Sequence, residues 1–163
     1  NRIDELHVMT VYYKFASMYF GSGNNDTCIF YLDKIISNKS LSMRQDLLCF
    51  SRILNLFAHY EAGYDYHIDT LLKSTYKFLL KMNDLHEVQK EMIKFIKSLQ
   101  NIYPQDIKKA FIKLHSKLKT FEDDPYESRA FLYLDIISWL ESNIQNKPIG
   151  EIIKSKYSLN IDR

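Results

Sequence analysis

Arg52, Asn55 and His59 stand at i, i+3 and i+7 in a segment otherwise rich in apolar residues, Leu47, Cys49, Phe50, Ile53, Leu54, Leu56, Phe57, Ala58 and Tyr60 among them. At helical spacing the three share one face and give it hydrogen-bonding chemistry. Such a stripe either opens onto a groove, where it holds a ligand, or lies buried and bonded to neighbouring helices, because an unpaired buried polar group costs about 1–3 kcal/mol. The residues themselves leave both readings open.

A second set is basic. Lys108, Lys109, Lys113, Lys117 and Lys119 follow one another closely, with Lys90, Lys94 and Lys97 upstream. Lys109, Lys113 and Lys117 repeat at i, i+4 and i+8, a ladder of like charges that phosphate contacts would exploit. Ile107, Phe111, Leu114, Leu118 and Phe121 form the opposite apolar stripe, so a solvated helix face accounts for the same lysines. No arginine stands among them for bidentate contact with phosphate or bases. Nucleic-acid binding through the face around residues 108–119 is therefore the alternative function, not the leading one.

Catalytic and metal patterns are missing from the sequence. His7, His59, His67, His86 and His115 form no His-x-x-x-His pair, and neither Cys28 nor Cys49 has a Cys-x-x-Cys partner. Gly21-Ser22-Gly23 lacks both the Gly-Lys-Ser/Thr of a phosphate loop and the third glycine of a dinucleotide site, and reads as a turn. Glu122, Asp123 and Asp124 suit the positive end of a following helix better than a cation site. The expectation is a non-enzymatic protein with no cofactor and no metal.

These residues need helices to position them. Only 4 Gly and 3 Pro occur in 163 residues, too few for strands joined by tight turns, while 46% hydrophobic residues are enough to build one sizeable core. The periodicity predicts eight helices in a single all-α domain over residues 1–163, at about 4–20, 26–37, 43–62, 66–81, 85–101, 104–121, 125–144 and 148–157. Gly23 and Gly63 occupy equivalent turns 40 residues apart. Asn83-Asp84 and Pro104 are helix-start signals, and Trp139 and Phe131 belong to the core near the carboxy-terminal end. Cys28 and Cys49 fall on apolar faces as buried thiols, which points to a reducing, cytoplasmic compartment. With 22 basic and 20 acidic residues no whole-molecule field attracts nucleic acid or membrane, and no apolar run is long enough to span a bilayer. The chain starts at Asn1 without methionine, as a carboxy-terminal fragment of a longer repeat protein would.

Tyr12, Phe15, Ala16, Tyr19, Gly23, Cys28, Leu32 and Ile35 together resemble the tetratricopeptide repeat signature, with Ala16 at the small position of close helix approach and Ser40 where the signature has proline. The second pair keeps Gly63 and Leu72 but places Asn55 and Leu56 where large and small core residues are expected, and its 40-residue period exceeds the usual 34 or so. Residues 50–56 and 137–142 resemble the carboxy-terminal part of uncharacterised tetratricopeptide-like proteins of Bacteroidetes. The resemblance implies a right-handed helical-repeat solenoid whose first helices line a groove holding a protein or peptide. It makes Arg52, Asn55 and His59 a ligand-facing stripe after Ser42. Tyr13, Ser17 and Phe20 join it, on the side of the first helix away from Tyr12, Phe15 and Tyr19. The family brings no established activity.

Overall fold

A computed structural model describes residues 4–38, 44–82 and 86–161, the side chains of 159–161 excepted. The positions singled out above at Ser40, Ser42, Asn83 and Asp84 lie outside them. The described residues form nine α-helices and no strand: α1 (Glu5–Gly21), α2 (Asn25–Ile36), α3 (Gln45–Glu61), α4 (Asp65–Lys81), α5 (Glu87–Leu99), α6 (Ile107–Lys119), α7 (Arg129–Tyr133), α8 (Ile136–Gln145) and α9 (Ile149–Ile161). The all-α expectation holds. No helix among the described residues is long and apolar enough to cross a membrane.

The helix expected over 125–144 is two. Leu134 is extended, with φ −144° and ψ 119°, and the Asp135 side chain then accepts from Ser138 N at 3.0 Å to start α8 afresh. An aspartate that satisfies a free N–H of a new first turn competes with continuation of the old helix. Ahead of α7, Asp124 accepts from the backbone N–H groups of Tyr126 and Glu127 at 2.8 and 2.9 Å, which hold its pKa below the usual 3.8. The acidic run thus fixes a turn, and the helix begins at Arg129 rather than Pro125.

The chain divides into two compact units, Asn1–Leu85 and His86–Arg163. In the first, α1 packs on α2, α2 on α3 and α3 on α4, and α1 also meets α3. Both hairpins turn alike. Gly23 (φ 79°) and Gly63 (φ 75°) sit in the left-handed region. Each is followed by a residue whose N–H reaches back five positions, Asn24 to Tyr19 O at 2.9 Å and Tyr64 to His59 O at 3.0 Å. That 6→1 bond and the accompanying Gly N–H bond define a Schellman ending, which glycine adopts without steric cost. Tyr64 Oη also donates to Asp26 Oδ1 at 2.6 Å, tying the second turn to the start of α2. Ala16, Cys28, Leu32 and Ile35 are fully buried where the hairpin closes, and burial pushes the Cys28 thiol up to about 12. Cys49 is also buried, and no disulfide links the two cysteines among the described residues.

In the second unit α5 packs on α6, α6 on α8 and α8 on α9. Trp139 is 2% exposed, and Phe95 and Phe111 stand 6.4 and 5.3 Å from it between ring centres. Trp139 is therefore a core residue as expected, whereas Phe131, expected beside it, is only half-buried.

Candidate functional site

The polar stripe of α3 turns inward. Asn55 is 4% exposed, and its Oδ1 has no hydrogen-bond partner. Arg52 lies half-buried with its guanidinium 4.3 Å over the Phe78 ring on α4, a cation–π contact between helices. Burial lowers the Arg52 pKa, with Cys49 opposing, and its Nε makes no hydrogen bond. His59 Nδ1 lies 2.8 Å from the carbonyl oxygen of Asn55, so that nitrogen carries a proton and donates it. The His59 ring meets Tyr64 and His67 edge-on at 5.9 and 6.1 Å. Burial raises the Asp33 carboxyl of α2, with His59 opposing. The three residues share a stripe as their spacing requires, but Arg52 and His59 serve contacts with neighbouring helices and Asn55 is enclosed with its oxygen unpartnered.

The groove positions expected on α1 need a correction. Tyr13 and Phe20 are each 6% exposed and belong to a buried stripe with Met9 and Ala16, while Ser17 is half-buried with an unbonded Oγ. The signature residues Tyr12, Phe15 and Tyr19 instead gather around Tyr31 of α2, at 5.5, 5.4 and 5.9 Å between ring centres, and Phe15 is 40% exposed. The reason is that α1 meets both α2 and α3, so the face between those two helices is the one that loses solvent.

An open site lies elsewhere. In the second unit a cleft of about 590 Å³ runs between α5 and α6, lined by Glu91, Lys94, Phe95, Ser98 and Ile102 on one side and Ala110, Lys113, Leu114 and Lys117 on the other. On each helix the lining residues recur at i, i+3, i+4 and i+7, one face over two turns, or about 10 Å. Phe95 and Leu114 form a buried floor, Ile102 and Ala110 are half-buried walls, and Lys94, Ser98, Lys113 and Lys117 are exposed at the mouth. Lys94 pairs with Glu91 at 3.0 Å. Lys113 and Lys117 make no ion pair with a carboxylate among the described residues, and Lys117 lies 5.4 Å over the Phe121 ring.

The basic ladder is accordingly split. Lys109 pairs with Asp106 and Lys119 with Glu122, at 3.0 and 2.6 Å, leaving Lys113 and Lys117 as rim charges of the cleft. By its sequence α6 is apolar on one side and solvated on the other, whereas in the fold Lys94, Lys113 and Lys117 border a shared apolar floor. The repeated i, i+3, i+4, i+7 spacing on both helices was the available signal.

Two polar clusters had no sequence signal. Ser138, fully buried, accepts from Lys156 Nζ at 3.0 Å, but Glu141 Oε2 lies 2.6 Å from the same nitrogen and His115 Nε2 lies 3.1 Å from Glu141 Oε1. A serine–lysine contact generates a nucleophile only when the amine is neutral and the hydroxyl reachable. Here the Ser138 hydroxyl is fully buried and the Lys156 amine is paired with the Glu141 carboxylate, so the group ties α9 to α8 and α6. Burial pushes the Glu141 carboxyl up, yet the bonds from Lys156 and His115 outweigh it and leave the group below its ordinary 4.5. The second cluster closes the start of α5. Glu127, 8% exposed, accepts from Glu87 N and Val88 N at 3.0 and 3.1 Å, and its neighbour Tyr126 stacks on His86 at 4.3 Å.

Comparison with known proteins leaves the site to its own geometry: no family model, curated protein or solved structure matches the chain.

Proposed function

We propose that the chain is a non-enzymatic scaffold of helical-repeat hairpins, of the tetratricopeptide kind, with α1–α4 as two repeats of a right-handed solenoid, and that it holds a protein or peptide in the α5–α6 cleft. The observation that carries this reading is the cleft itself, a two-turn apolar channel with polar groups at its mouth and no catalytic grouping along it. The paired Schellman turns at Gly23 and Gly63 support the repeat reading. The burial of Asn55 supports taking the second unit rather than α3 for the binding face.

Parallel affinity purifications from the native organism test it. The wild-type chain, Ala110→Trp, which fills the cleft, and Arg52→Ala are compared by mass spectrometry. A partner enriched with wild type and Arg52→Ala but lost with Ala110→Trp is the expected result. Loss with Arg52→Ala alone, in a chain that still melts normally, returns the site to α3. Nucleic-acid binding around residues 108–119 is the second reading, favoured only by the unpaired Lys113 and Lys117. It requires saturable RNA or DNA binding at about physiological salt, with a slope set by the phosphates neutralised.

A further inference from the structure

The cleft has a charge pattern as well as a shape. Its floor, Phe95 and Leu114, and its walls, Ile102 and Ala110, are apolar, and three of the four charges around them are cationic. Glu91 is already engaged by Lys94. What remains is Lys113 and Lys117, four residues apart on one edge of α6, where two like charges repel mildly and neither has a carboxylate at ion-pair distance among the described residues, Glu87 acting on Lys117 only through space. An occupant that buries apolar side chains on the floor and sets carboxylates one turn apart along this edge satisfies both features.

The lining also selects the form of that occupant. Rows at i, i+3, i+4 and i+7 on two neighbouring helices make the ridges and groove into which the side-chain ridge of a third helix fits. A peptide bound by strand addition needs a sheet edge, and no strand exists among the described residues. A nucleic acid would use the lysines but gain little from the floor, because Phe95 is only 6% exposed and packs against Phe111 at 4.9 Å, leaving little ring surface for a base to stack on. We propose that the α5–α6 cleft binds an amphipathic helix of a partner protein whose apolar face fills the floor and whose acidic flank lies along Lys113 and Lys117. This rests on the peptide-binding reading above and names the partner's chemistry.

Trp139, the only tryptophan, supplies an internal reporter one ring behind the floor, 6.4 Å from Phe95. The test uses the full chain and three labelled, end-blocked peptides of about 15 residues, the length at which an isolated helix becomes marginally stable. All have leucine at i, i+3, i+4 and i+7; the flank is glutamate, glutamine or lysine. Anisotropy and Trp139 emission are followed together in low salt.

The glutamate peptide is expected to saturate and to shift the Trp139 emission, the glutamine peptide to bind about tenfold more weakly and the lysine peptide more weakly still. In Lys113→Glu with Lys117→Glu, both exposed positions that leave the floor intact, the order of the glutamate and lysine peptides should invert. Glutamine and glutamate peptides that bind equally, with the Trp139 shift, overturn the acidic assignment and leave the peptide cleft standing. No saturation by any peptide, with capture unaffected by Ala110→Trp, overturns both. Short RNA or dodecanoate that displaces the glutamate peptide, and itself binds at least tenfold more tightly, also overturns the proposal.

Discussion

The two units use the same building block, a pair of packed helices, to opposite ends. In the first, α3 has 11 of its 17 residues buried and is packed by α1, α2 and α4, so even Asn55 has been drawn out of water. In the second, α6 buries only Phe111, Leu114 and Leu118, and the side it shares with α5 is left as a cleft. A polar residue on an enclosed helix becomes a packing problem. An apolar residue on a half-enclosed hairpin is left lining an open cleft. Residue type alone did not decide which stripe faced outward; the number of covering helices did.

The largest test of this contrast is Ala16→Phe. Ala16 has no exposed surface where α1 meets its neighbours, so the added ring should cost about 2–3 kcal/mol in a urea melt. An unchanged midpoint would mean the first unit is not closely packed there. In the second unit, Glu127→Gln keeps one acceptor for two backbone N–H groups and should cost about 1–2 kcal/mol, with faster hydrogen exchange at Glu87 and Val88. Exchange spread evenly over the chain would show that Glu127 does not act through α5.

Gly63→Ala should cost about 1 kcal/mol. No atom lies within 4 Å of an added Cβ, so the cost is purely that of φ 75°. Gly23→Ala should match it, and a marked difference would break the equivalence of the two turns. Glu141→Gln tests the tie of α9. Because the folded carboxyl lies below its ordinary 4.5, folding favours the ionised form; that stability is present above 4.5 and lost as pH falls through the lower folded value. The variant should lose no more than about 1 kcal/mol at neutral pH, given partial solvent screening, and should show a flatter acid limb below pH 4.5. An identical acid limb would remove Glu141 from the account. Asn55→Leu should be the smallest, within about 0.5 kcal/mol of wild type or slightly stabilising, since the oxygen it removes is unbonded. A large loss would show that the amide anchors the α3 packing.

The sequence made the helical architecture legible because period and glycine turns are local signals. Glycines at 23 and 63, the buried cysteines and the interior character of α3 all followed from them. The facing of α1 did not follow. The signature spacing marked Tyr12, Phe15 and Tyr19 as core, but burial on α1 depends on two other helices at once, and Met9, Tyr13, Ala16 and Phe20 took that face. The break before α8 was hidden because Asp135 reads equally as an interruption of an apolar run and as a cap. The candidate cleft was half-visible: Lys113 and Lys117 were marked for their charge, while the floor they border is a relation between two helices that neither helix displays alone.

The Glu127 carboxylate has a consequence for the order of events in folding. The acceptor that closes the first turn of α5 lies about 40 residues downstream, beyond the whole of α6. As the chain emerges from the ribosome α5 appears before this acceptor, and although His86 and Gln89 cap each other locally, the Glu87 and Val88 amides stay open until residues 124–128 arrive and the intervening loop closes. A helix sealed from so far along the chain raises the contact order of an otherwise locally wired bundle. The second unit should therefore fold more slowly than its helix content implies, with the start of α5 the last part to gain protection.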